Sequence, residues 1–115
     1  MTDACLFCKI VSGEIKGIIV HRDDQATAFR DINPVAPTHI LIVPNQHIAS
    51  VSALESGDEQ LMGHLFSVAG QLAKIEGIAD GGYRLITNTG PDAGQTVFHI
   101  HVHLIGGQTM KHPMG

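Results

Sequence analysis

The chain has 115 residues, 43% hydrophobic and 16% charged, a size and balance that suit one hydrophobic core and exclude a disordered tract. A formal charge of −4 speaks against a general nucleic-acid binder, which carries a basic face, but leaves room for a small anionic ligand held by local donors. No apolar run reaches the roughly 18 residues of a membrane span. The acidic start Met1-Thr2-Asp3 lacks the basic and apolar regions of a signal peptide, so the expected compartment is the cytoplasm, where Cys5 and Cys8 are thiols or metal ligands rather than a disulfide.

In chain order, Leu6 to Val11 reads as one or two helical turns ending at Ser12-Gly13. Ile18-Ile19-Val20 is β-branched and predicts a strand, Asp23-Asp24 a turn, and Ala26 to Arg30 a partner strand. The prolines of Asn33-Pro34 and Ala36-Pro37 exclude helix and predict an irregular loop. His39 to Val43 predicts a buried strand stopped by Pro44. Asp58 to Glu76 is the strongest helix: Ser56 and Glu59 have capping-box spacing, with Ser56 as N-cap, and Leu61, Leu65, Val68, Leu72 and Ile75 recur at steps of three and four. Gly77 is its expected stop. Tyr83 to Thr87 is a strand, Asn88 to Gln95 a loop, and Phe98 to Ile105 the last strand, ended by Gly106-Gly107. The expectation is one domain over 1–115 of class α+β, a mostly antiparallel sheet of about five strands with one long and one short N-terminal helix.

In a strand, His99, His101 and His103 share one face, about 6.6 Å apart at about 3.3 Å per residue, while Ile100, Val102 and Leu104 pack under the helix. A solvent face would ordinarily carry Lys, Glu or Thr. Three histidines are also the ligand set of a catalytic zinc. Chemistry at phosphorus fits better: imidazole titrates near neutrality, so a row of rings supplies a nucleophile, donors to phosphoryl oxygens and an acid for the leaving group. The donor-rich loop with Asn88, Gly94, Gln95 and Thr96 just upstream suits an anion.

His99-Ile100-His101-Val102-His103-Leu104-Ile105 resembles the motif of the histidine triad (HIT) family, His-φ-His-φ-His-φ-φ with φ apolar. Phe29-Arg30-Asp31-Ile32-Asn33-Pro34, Ala36-Pro37-Thr38-His39, Ile42-Val43-Pro44 with His47, and Ala93-Gly94-Gln95-Thr96-Val97 resemble other parts of that family. The short length and Gly106-Gly107…Met110 resemble its Hint branch, specialised for adenosine phosphoramidates. The resemblance implies a HIT-like fold and a purine nucleoside phosphoramidase, a hydrolase or nucleotidyl transferase that cleaves a P–N bond to release AMP. It makes His101 the nucleophile that forms a nucleotidyl-histidine, with His99, His103 and His39 orienting it, binding phosphate oxygens and moving protons. It places Thr96 at the leaving amine, and Asn88, Gly94, Gln95 and Val97 on the phosphate side, partly through backbone. Asp31 would accept hydrogen bonds from the ribose hydroxyls; alternatively it is a turn residue. For Thr96 and Asn88 the alternative is a loop cap. Phe7, Ile10, Phe29 and Ile32 match an apolar slot for the purine, and are equally readable as ordinary core.

Cys5-Leu6-Phe7-Cys8 has C-x₂-C spacing, which suits a metal pair, two small buried hydrophobes or a redox pair. The resemblance to dicysteine members of the family implies a structural zinc held by Cys5, Cys8, His47 and His99, with no cofactor required for catalysis. It also implies a homodimer, for which Tyr83-Arg84-Leu85-Ile86 and the helix stripe offer an apolar interface. Neither a nucleic acid nor a membrane is an expected partner. His21, His64 and His112 have no such role; His64 reads as a surface or locally satisfied group. The Hint branch often has tryptophan where His112 stands, and this chain has none. Two alternatives remain: a dinucleoside polyphosphate hydrolase of the Fhit branch, against which the short tail and Gly-Gly ending argue, and a nucleotide-binding interaction module with weak catalysis, against which the intact triad argues.

Overall fold

A computed structural model describes residues 4–112. Helix α1 (Leu6–Ser12) starts on Cys5, whose sulfur accepts from the Cys8 backbone N–H at 3.3 Å, and buries Phe7 and Ile10. Strands β1 (Ile19–Arg22) and β2 (Ala26–Arg30) form a hairpin turned on Asp23, whose Oδ1 accepts from the backbone N–H groups of Gln25 at 2.7 Å and Ala26 at 2.8 Å. A register shift between Ile19 and His21 bends β1. Strand β3 (Thr38–Pro44) is buried throughout and pairs with β2 on one side and β5 (Val102–Gly106) on the other. Strand β4 (Tyr83–Ile86) pairs with β5, so the sheet is antiparallel throughout in the order β1-β2-β3-β5-β4. The five strands, the long helix and the short N-terminal helix are those expected.

Strand alternation divides the core in two. Ile40 and Ile42 of β3 and Val102 and Leu104 of β5 face helix α2 (Glu59–Ile75), where they pack with Leu65, Val68, Ala69, Leu72 and Ala73. Fully burying one such aliphatic side chain stabilises by about 1.5–3 kcal/mol. Leu41 and Val43 point the other way and pack with Phe7, Ile10 and Phe29. His39 and His103 occupy odd positions of β3 and β5 on this second side. The helix therefore supports the sheet from one face and leaves the other for chemistry.

Several boundaries differ from expectation. Helix α2 is preceded by a 3₁₀ turn, Ser56–Asp58, and the reciprocal cap is Glu55 with Asp58 rather than Ser56 with Glu59; the Glu55 backbone N–H donates to the Asp58 carboxylate at 3.0 Å. The extra tight turn moves the cap one residue upstream. Ile75 is 75% exposed, because it sits at the edge of the stripe in the last turn, and Glu76 takes the inward place. The Glu76 carboxylate accepts two hydrogen bonds from Arg30 of β2, at 2.8 and 2.9 Å. Gly77, at φ 76, ends the helix as expected. The last strand begins at Val102, not Phe98, since the preceding backbone bonds outside the ladder: the Ile100 N–H donates to Ile48 C=O at 2.6 Å. Ile100 is buried but stands apart from the residues packed under α2.

Candidate active site

His99 and His101 thus lie on the irregular segment leading into β5, and only His103 lies on the strand. The rings still gather, those of His101 and His103 with centroids 5.0 Å apart. Each ring's state follows from its backbone partner. His99 is fully buried, and its Nε2 lies 2.8 Å from the Pro44 carbonyl oxygen, which can only accept. Nε2 therefore carries the hydrogen and Nδ1 is a bare lone pair. His101 Nδ1 lies 2.8 Å from the His99 carbonyl oxygen, so Nδ1 carries the hydrogen and Nε2 is the bare nitrogen. His39 Nδ1 accepts from the Val35 backbone N–H at 3.2 Å, so its Nε2–H donates to His103 Nδ1 at 2.9 Å. His103 is left presenting Nε2–H.

Burial depresses the basicity of three of these rings. It lowers His39 against the opposing charge of Asp31, lowers His99, and with the neighbouring His101 and His39 brings His103 down to about 4. These three rings are neutral at pH 7. Phe7 meets His101 edge-on, with centroids 5.0 Å apart at 89°, and meets Phe29 at 5.3 Å.

His101 and His103 line a cleft of about 350 Å³. Phe7, Ile10, Phe29 and Ile32 give it apolar lining, and Asp31, Thr96 and Val97 line it too. Phe7, Ile10 and Phe29 are also core, so both readings of these residues hold at once, whereas Ile32 is 89% exposed and offers an open apolar surface. Asp31 likewise does two things: its Oδ1 accepts from the Asn33 N–H at 2.8 Å, an Asx turn, while Oδ2 lies 3.4 Å from His39 Nε2. Asn88, Gly94 and Gln95 lie outside the lining. The Gln95 side chain is spent inside the loop, accepting from Gly90 N–H at 2.9 Å and donating to the carbonyls of Ala49 at 2.8 Å and Val97 at 3.1 Å. Lys16, Arg30 and Leu41 also line the cleft. Leu41 was readable, because it lies on the same side of β3 as His39; Lys16 sits in a loop with no periodic signal.

Behind the triad, His99 Nδ1 lies 3.3 Å from Cys5 Sγ, 3.4 Å from Cys8 Sγ and 3.3 Å from His47 Nδ1, and Cys8 Sγ lies 3.3 Å from the same His47 nitrogen. Burial, then the Cys5 thiol, pushes Cys8 up to about 11 in the absence of a cation. The resemblance named these four residues; they converge from α1, the segment after β3 and the segment before β5.

A family model described as the HIT domain matches residues 12–110. The chain belongs to the HIT family. A purine nucleoside phosphoramidase of Escherichia coli (strain K12) is 50% identical over 110 residues, which is 96% of this chain and 92% of that protein. Among solved structures, a HIT family hydrolase from Legionella pneumophila Philadelphia 1 superimposes with a TM-score of 0.93 at 47% identity, covering 96% of this chain and 99% of that one. A HIT family hydrolase from Clostridium thermocellum gives 0.94 at 45% identity, covering 97% of each. Of the triad, His103 is thus set on the sheet, beside His39 of the adjacent strand, while His99 and His101 precede it.

Proposed function

We propose that the chain is a purine nucleoside phosphoramidase, hydrolysing the P–N bond of adenosine 5′-monophosphoramidate-type substrates to AMP and an amine. The observation that carries this reading is the pair of ring edges in the cleft: a bare Nε2 on His101 and an Nε2–H on neutral His103, side by side. His101 Nε2 attacks the α-phosphorus and the P–N bond breaks. The amine leaves beside the Thr96 hydroxyl with a proton taken from solvent, and the nucleotide stays on His101. Water then attacks phosphorus and gives up a proton to solvent, the bond between phosphorus and His101 Nε2 breaks, and AMP and the free imidazole result. The Nδ1–H bond to the His99 carbonyl holds His101 in aim and stabilises the cation formed when Nε2 bonds phosphorus. The His103 Nε2–H serves a phosphate oxygen, with His39 fixing its orientation. The purine lies against Phe7, Ile10, Phe29 and Ile32, and Asp31 Oδ2 takes the ribose hydroxyls. The phosphate meets Thr96 and Val97, the part of the glycine loop that lines the cleft.

The test offers the protein an adenosine phosphoramidate, a diadenosine polyphosphate and AMP, alongside His101→Ala. Phosphoramidate turnover that vanishes in the variant is the expected result. Faster cleavage of the polyphosphate would assign the chain to the other branch, and AMP binding without turnover of either would make it a binding module.

We propose further that Cys5, Cys8, His47 and His99 hold a structural zinc. Across a tetrahedral zinc with bonds of about 2.0–2.1 Å to nitrogen and about 2.3 Å to sulfur, N···N is about 3.3 Å and N···S about 3.5 Å; the observed separations are 3.3 and 3.3–3.4 Å. A fully buried bare Nδ1 facing two sulfurs supports this reading. The ion would tie α1 to the catalytic segment and keep both thiols ionised.

A homodimer in the cytoplasm completes the proposal. No helix of the described residues is long and apolar enough to cross a membrane. Strand β4 is an edge of the sheet, and Tyr83, Phe66 and Ile75 are exposed nearby in sequence or on α2, while the stripe residues Leu65, Val68 and Leu72 are used in the core. Light scattering at micromolar concentration should give twice the chain mass; a monomer would remove this part.

A further inference from the structure

One cluster of imidazoles lies outside the cleft and outside the cysteine set. His21 of β1 and His64 of α2 both direct Nε2 at a single oxygen of Asp23, at 2.6 and 2.8 Å from Oδ2. The other carboxylate oxygen is fixed by the Gln25 and Ala26 amides, so Oδ2 is aimed rather than free to rotate. The three side chains are a quarter to a third exposed, reachable from solvent.

We propose that His21, Asp23 and His64 form a surface site for a divalent first-row transition cation of the Co²⁺, Ni²⁺ and Cu²⁺ group, which clamps the β1–β2 turn to α2. The ligand set is two imidazoles and one carboxylate, with positions left open for water. The three ligand atoms lie within 4.8 Å of one another. A cation about 2.1 Å from each would subtend angles of about 75–85° between Oδ2 and the two nitrogens, nearer the right angles of an octahedral or tetragonal ion than the wider angle of tetrahedral zinc. Neither His21 Nδ1 nor His64 Nδ1 has a hydrogen-bond partner among the described residues. Nothing among the described residues therefore pins either ring to one tautomer through Nδ1. The trio of Asp31, His39 and His103 is just as close-set, but the Val35 amide fixes His39 as an Nε2–H donor, so that trio is not such a site.

Ni²⁺ is the probe. Calorimetric titration of the full chain should give one Ni²⁺ bound per chain that persists in Cys8→Ser and raises the melting temperature. Removing even an outer hydrogen-bond partner of a ligand commonly costs about 10–100-fold in metal affinity. His64→Gln and His21→Gln, both partly exposed and polar, should therefore each weaken Ni²⁺ by more than about tenfold and abolish the thermal shift. Ni²⁺ binding that is unchanged in both glutamine variants, or lost only in Cys8→Ser, overturns the assignment, as does a protein that takes up none.

Discussion

Replacing His103 with asparagine should flatten the acid limb of the stability curve. Burial and the neighbouring His101 and His39 bring this imidazole from 6.5 down to about 4. The unfolded chain therefore takes up the proton first. The neutral ring's contribution is complete above pH 6.5, is lost as pH falls toward about 4, and the loss stops below that, where both states are protonated. At about 1.36 kcal/mol per unit the gap corresponds to about 3 kcal/mol, and because His103 is only half-buried, solvent reduces the expected figure to about 1–2 kcal/mol. Asparagine keeps an acceptor for the His39 Nε2–H and removes the titration. His39 and His99 are lowered in the same direction and remain in both proteins, so they cancel in the comparison. Urea unfolding at about pH 8 and about pH 4.5 should show the parent losing about 1–2 kcal/mol more than His103→Asn. Equal losses would mean that His103 is not held neutral by its surroundings.

Glu76→Gln should lower stability by about 1–2 kcal/mol, since it halves a two-bond charged contact that is partly exposed on the Arg30 side, and the difference should shrink in high salt. In Gly106→Ala the new methyl would stand 2.6 Å from Ile78 Cδ1 and 3.2 Å from Tyr83 Cβ. Overpacking of about 1–3 kcal/mol is expected, partly relieved by adding Ile78→Val; no relief would locate the strain elsewhere. Cys8→Ser should drop the zinc content of protein purified without chelator well below one per chain and lower the melting temperature; unchanged metal content would refute the proposed ligand set.

What the sequence displayed and what it hid separate by range. Helix α2 was legible because its signals are local: Leu65, Val68 and Leu72 at steps of three and four, and a glycine stop. Strand β3 was legible as an apolar run before a proline. The cap was misplaced because Glu55 and Ser56 both offer acceptors at suitable spacing, and the 3₁₀ turn that chooses between them depends on packing. The start of β5 was hidden because hydrogen bonds to Ile48 and Pro44, dozens of residues away, draw Phe98 to His101 off the sheet. His39 and His47 entered through the family resemblance, not through any pattern of their own. The His21, Asp23 and His64 cluster gave no signal at all, because it exists only once the hairpin turn folds against α2.

Spacing alone left the triad open between a three-histidine metal site and phosphorus chemistry, and the second nitrogen of each ring favours the proposed phosphorus chemistry. A three-ligand site needs three bare nitrogens converging on one point. Here Pro44 takes the hydrogen of His99 Nε2, which bares Nδ1 toward the cysteines. The His99 carbonyl takes the hydrogen of His101 Nδ1, which bares Nε2 at the cleft. The Val35 amide, acting through His39, forces His103 to present a hydrogen there instead. In the proposed site, identical residues would thus serve as a ligand, a nucleophile and a donor through three different backbone partners. His99 joins the first two roles, its ring meeting the cysteine cluster while its carbonyl aims His101, so disturbance of the metal set should reach the nucleophile through a single peptide unit.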